Sequence, residues 1–92
     1  MDLQLKNKRA LVTGSTAGIG FAIAKALAAE GAGVTVNGRT KERVDRAIGQ
    51  IQSAVPGARV SGVAADLSTA DGCASLFSQL PAVEVLINNL GV

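Results

Sequence analysis

The chain has 92 residues, of which 48% are apolar and 2% aromatic, and nine basic against seven acidic side chains leave a net charge of +2. This apolar content excludes a disordered chain, and the weak, interleaved charge without aromatic platforms gives no support for nucleic-acid binding. Cys73 is the only cysteine, which excludes an intrachain disulfide scaffold.

In chain order, Lys6, Lys8 and Arg9 read as a solvated approach to a first strand, the apolar run Ala10-Leu11-Val12. Thr13-Gly14-Ser15-Thr16-Ala17-Gly18-Ile19-Gly20 follows. It opens an Ala-rich helix expected from Ile19 to about Ala29, with Gly31 as its stop. Gly33 to Asn37 predicts the second strand. Thr40 can cap a second helix running to about Ser53, with Glu42 in its first turn. Pro56-Gly57 marks a turn before a third strand, Arg59 to Ala65. Ser68 or Thr69 then caps a third helix to about Leu80, and Pro81 follows its end. Val83 to Asn88 is a nearly all-apolar fourth strand, as suits the centre of a parallel sheet. This βαβαβαβ succession predicts an α/β fold with a doubly wound parallel sheet. Right-handed crossovers give the order 3-2-1-4, with ligands beyond the carboxyl ends of the strands at the switch point between the first and fourth.

The glycine-rich turn lies at that point. A turn from strand to helix gathers backbone N–H groups at the positive end of the helix dipole, a combination that favours a phosphate. Gly14 allows the tight turn, Gly18 lets a pyrophosphate approach the backbone, and Gly20 lets the helix pack close to the strand. The bland alternative is a loop that needs glycine only for its turns. The spacing Gly-x-x-x-Gly-x-Gly is not the general dinucleotide fingerprint, and no Gly-Lys-Ser/Thr follows to make a P-loop. The form Thr-Gly-x-x-x-Gly-Ile-Gly resembles the short-chain dehydrogenase/reductase family. The resemblance implies a Rossmann-type fold, an NAD(H) or NADP(H) cofactor, and hydride transfer to or from a carbonyl or alcohol. It assigns cofactor contacts to Gly14, Ser15, Thr16, Gly18, Ile19 and Gly20.

Three further positions fit this resemblance. The second strand ends in Asn37-Gly38-Arg39, with no acid to bind a ribose 2′-hydroxyl. An arginine there can pair with a 2′-phosphate, so Arg39 points to NADP(H) over NAD(H); the alternative is a solvated arginine before a helix. Asp66-Leu67 follows the third strand, where the family borders the adenine; Asp66 can equally cap or turn its loop. Asn88-Asn89-Leu90-Gly91 resembles the family's Asn-Asn-Ala-Gly signature, so Asn89, Leu90 and Gly91 are assigned to the adenine-side ribose. Leu90 departs from the usual alanine. An asparagine at a strand end can also simply satisfy exposed backbone groups.

The family's chemistry uses a serine, a tyrosine and a lysine four residues after that tyrosine. The chain contains no tyrosine and no histidine, so no general acid suited to that step is present. No catalytic residue and no metal ligand is assigned here. The chain reads as residues 1–92 of a single cofactor-binding domain, the N-terminal part of a reductase with its catalytic half beyond Val92. The expected partners are the dinucleotide, that missing half and further copies of the parent. No signal-peptide or membrane-spanning run is present, which gives a cytoplasmic expectation. Cys73 reads as a small buried hydrophobe. A non-catalytic dinucleotide-binding regulatory module, or a structural remnant that folds against another chain, is the alternative.

Overall fold

The computed structural model describes residues 8–66, 69, 71, 72, 74 and 85–87. Six elements follow one another: β1 (Arg9–Val12), α1 (Gly18–Ala29), β2 (Gly33–Gly38), α2 (Lys41–Ala54), β3 (Val60–Ala64) and β4 (Val85–Ile87). All pairings are parallel, and the strands lie side by side as β3-β2-β1-β4. Val12 stands beside Val36 on one side and Ile87 on the other, so β1 is central among the described strands.

Hydrophobic periodicity explains why the helices lie where they do. In α1 the buried positions are Gly20, Ala24 and Ala28, one residue per turn on a single face. In α2 they are Val44, Ala47 and Ile51. Both faces close over Val12, Val34 and Val36, and these residues make one core with Phe21, Ile23, Leu27 and Ile48 at its margin. Strand side chains alternate between the two faces, so Leu11 points the other way and joins Val63 and Ala65 in a second, smaller cluster. The aliphatic core that the aromatic-poor composition requires is therefore split between the two sheet faces.

The helix ends follow their local chemistry. Thr40 accepts a hydrogen bond from the Arg43 N–H at 3.2 Å, and Glu42 lies in the first turn of α2. At the end of α1, the Ala32 N–H donates to the Leu27 carbonyl at 3.2 Å and the Gly31 N–H to the Ala28 carbonyl at 3.1 Å. The Arg59 guanidinium donates to the Gly31 carbonyl at 2.8 Å, which ties the approach to β3 to this turn. That contact lies just before β3, which starts at Val60 rather than at Arg59. Thr69 accepts from the Gly72 N–H at 2.9 Å, the arrangement of a helix cap. The body of the expected third helix, with Ser68, Cys73 and Leu80, lies largely outside the described residues. So do the expected ends of the fourth strand at Val83 and Asn88. Among the described residues, no helix is long and apolar enough to cross a membrane.

Candidate functional site

The carboxyl ends of β1, β2 and β3 carry the candidate site. β1 runs into the turn at Thr13, and the turn runs directly into α1 at Gly18. The Thr13 N–H donates to the Ile87 carbonyl at 3.0 Å, fastening the start of the turn to β4. Gly14 has φ 57° and Gly18 φ 65°. Both lie in the left-handed region that a side chain disfavours, so glycine is required at these two points by backbone conformation alone. At Gly18 a Cβ would meet nothing within 4 Å. The turn is thus open on that side, which leaves room for a ligand to approach the backbone.

The start of α1 differs from the start of α2 in a way that matters for charge. Its N-cap residue, Ala17, has no side chain to cap the helix, and the first turn holds no acid. The first N–H groups of a helix have no partner within the helix, and here no capping side chain supplies one. Ile19 is 73% exposed, the one large hydrophobe among the described residues that stands out in solvent. An apolar side chain beside an uncapped helix start is suited to a ligand with both an anionic and an apolar part.

Thr16 faces the end of β2. A Cβ added at Gly38 would run into the Thr16 methyl group, with the Thr16 hydroxyl at 3.2 Å and a Val44 methyl at 3.3 Å. The turn and the β2 end are therefore in direct contact, and glycine at 38 makes the contact possible. Arg39, the next residue, is exposed and has no hydrogen-bond or ion-pair partner among the described residues. Nearby Lys41 is different. Its ammonium donates to Asp45 at 2.9 Å, and this hydrogen bond, with the carboxylate's charge, holds its pKa above the usual lysine value. Asp66 is exposed beyond β3, and its carbonyl accepts from Thr69 through both the N–H at 3.2 Å and the hydroxyl at 3.0 Å.

Ser15 is placed otherwise than a ligand-facing residue. It is fully buried. Its hydroxyl donates to the Val12 carbonyl and accepts from the Asn37 N–H at 2.8 Å, and its own N–H donates to the Asn37 carbonyl at 2.8 Å. Both its side chain and its amide are committed inside the protein. Gly20 is buried on the face of α1 that meets the sheet, as close packing requires. Leu67, Asn89, Leu90 and Gly91 lie outside the described residues.

Asn37 carries a role that the sequence reading did not assign. Its side chain is buried, and its Oδ1 accepts from the Gly14 N–H at 3.1 Å. Its Nδ2 donates to the Val63 carbonyl at 3.2 Å and to the Ala65 carbonyl at 3.3 Å. The signal was present as an amide closing the strand Gly33-Val34-Thr35-Val36-Asn37, directly after Val36 and two positions before Arg39.

A family profile described as short chain dehydrogenase matches residues 8–92. The chain belongs to the short-chain dehydrogenase family. It is 49% identical over 92 residues to YvaG, an uncharacterized oxidoreductase of Bacillus subtilis (strain 168), across 100% of this chain and 35% of that protein. It is 44% identical over 92 residues to D-beta-hydroxybutyrate dehydrogenase of Cupriavidus necator, across 96% of this chain and 35% of the relative. The solved structure of L-sorbose reductase from Gluconobacter frateurii, in complex with NADPH and L-sorbose, superimposes with a TM-score of 0.88 at 34% identity, covering 100% of this chain and 36% of that one. The chain thus spans about 35% of the length of these short-chain dehydrogenases. The fold is the Rossmann-type α/β fold of these relatives.

Proposed function

We propose that this chain is the N-terminal, adenine-side part of an NADP(H)-dependent short-chain dehydrogenase/reductase. The whole protein would transfer hydride between NADPH and a carbonyl or alcohol substrate. The single observation that carries the cofactor choice is Arg39. It is exposed and unpaired among the described residues, it sits one residue from the contact with the phosphate turn, and no acid accompanies it at the end of β2. A guanidinium in that place suits a 2′-phosphate through charge-assisted, bidentate hydrogen bonds.

The residues present fit a dinucleotide. The uncapped start of α1 offers N–H groups and the positive helix end to a pyrophosphate, and the open space at Gly18 admits it to the backbone. When bound, the nicotinamide supplies the hydride. Gly14, Thr16, Gly18, Ile19 and Gly20 shape the phosphate end, with Ser15 holding the turn from beneath. Arg39 takes the 2′-phosphate, Asp66 and Leu67 border the adenine, and Asn89, Leu90 and Gly91 border its ribose. These 92 residues contain no tyrosine, so the proton donor is assigned to the remainder of the protein. We place the whole protein in the cytoplasm as a homo-oligomer.

Calorimetric titration of the full-length protein with NADPH and with NADH tests this reading. Tighter binding of NADPH is expected. Equal affinities overturn the assignment to Arg39, and binding of neither overturns the cofactor reading as a whole.

A further inference from the structure

We infer that Asn37 is a positioning residue for the pyrophosphate: its side-chain amide fastens the phosphate turn to β3 and thereby sets where the turn's N–H groups point. The inference rests on the cofactor reading above. It concerns a residue that makes no claim on the ligand itself.

The geometry is specific. An amide side chain has one acceptor and one donor end, and the partners decide which is which. Oδ1 faces a backbone N–H, that of Gly14, while Nδ2 faces two carbonyls, those of Val63 and Ala65. Only one orientation of the amide satisfies all three contacts. The main chain of Asn37 is engaged too, through the paired contacts with Ser15. The residue thus joins the turn after β1, the end of β2 and the end of β3, which are the three segments that converge on the candidate site.

The first glycine of the turn is the point where this joint acts. Gly14 holds a left-handed conformation, which glycine adopts without steric cost but is not confined to. Something else must select it. The Asn37 Oδ1 contact to the Gly14 N–H does so from a buried position, 23 residues away in sequence. The bond is part-buried with its acceptor on a buried side chain, and the lower local dielectric there makes it stronger than the same contact in water. Without Oδ1 the turn loses its side-chain fastening to β3, and the downstream N–H groups at Gly18 and Ile19 lose their fixed aim. Loss of one well-aimed hydrogen bond to a charged group is enough to weaken binding about tenfold or more.

The test is calorimetry on the full-length protein and its Asn37→Ala and Asn37→Ser variants, neither of which can span both sets of partners. Two probes are used: NADPH, and adenosine 2′-monophosphate, which carries the 2′-phosphate but no pyrophosphate. The expected result is a rise in the NADPH dissociation constant of about tenfold or more, with that for adenosine 2′-monophosphate changed less than about threefold. Amide hydrogen exchange at Gly14 is expected to quicken in the variants while the β1 and β2 amides stay protected. A general loss of structure moves both probes together, so parallel weakening overturns the inference. So does unchanged NADPH affinity in a folded variant. Failure of both variants to fold also overturns it, since Asn37 would then hold the sheet rather than aim the turn. The unmutated protein reads the cofactor assignment and the ratio to the variants reads this one, so the two failures are distinct.

Discussion

Arg39 and Asn37 lie two positions apart and are opposite in character. Arg39 is exposed, charged and without a partner among the described residues; Asn37 is buried, neutral and engaged at every polar atom. Loss of Arg39 should therefore act on the ligand and hardly on the fold. Arg39→Ala is expected to remove about 1.5–3 kcal/mol of the NADPH-over-NADH preference, the usual worth of hydrogen bonds to a charged group. Its melting temperature should match that of the unmutated protein. Titration of both cofactors against both proteins checks this, and an unchanged preference refutes it. Gly18→Val separates affinity from stability in another way. Its Cβ meets no protein atom, so the folding penalty is confined to the left-handed backbone, about 1–2 kcal/mol. In the proposed cofactor reading the same Cβ projects into the open space that the pyrophosphate would occupy. NADPH binding should fall well beyond that penalty in a protein that still melts cooperatively.

Among the elements, α2 is the most exposed to single changes, because it is held by a cap at one end and by close packing along its length. Thr40→Ala removes the hydrogen bond to the Arg43 N–H and should cost about 1 kcal/mol by denaturant unfolding of the full-length protein. Gly62 is the point of closest packing between β3 and α2. A Cβ there would run into a Val44 methyl and lie 2.9 Å from Cδ1 of Ile48. Val44 is itself in the core and has little room to yield, whereas the Ile48 side chain lies at the core's margin and can swing its end aside. Gly62→Val should destabilise the protein by about 1–3 kcal/mol through overpacking, and an unchanged unfolding midpoint would show that α2 can lift from the sheet freely.

For the whole molecule, the sheet ends decide behaviour. β4 lies at one end of the described sheet and pairs with β1 alone. Both α1 and α2 cover the face that carries Val12, Val34 and Val36, leaving the other face with the smaller cluster of Leu11, Val63 and Ala65. A strand with one open edge invites pairing with another chain. Residues 1–92 prepared alone should therefore associate rather than melt as a cooperative monomer, as read by light scattering and calorimetry. They should also reduce no carbonyl with NADPH, because they contain no tyrosine to donate the proton. A sharp melt from a strictly monomeric sample would move weight to a stand-alone binding module.

The sequence by itself determined the alternation of strands and helices from β1 to β3, the place of the glycine-rich turn and the α/β class. Those features rest on local signals: apolar periodicity, the Thr40 cap, and glycines at the points where φ turns positive, as at Gly14 and Gly18. It also singled out Arg39, since a missing acid at a strand end is visible in the letters alone. What it could not supply was the direction of each polar side chain. Ser15 reads as a turn residue that could face a ligand, yet the fold buries it beneath the turn and engages it with Val12 and Asn37. Asn37 reads as the last letter of the second strand, and only pairing with β3 brings the Val63 and Ala65 carbonyls to its amide. Which hydrogen bonds a buried amide makes depends on partners 23 to 28 residues away, and those are set by packing of the strands against one another rather than by any local pattern.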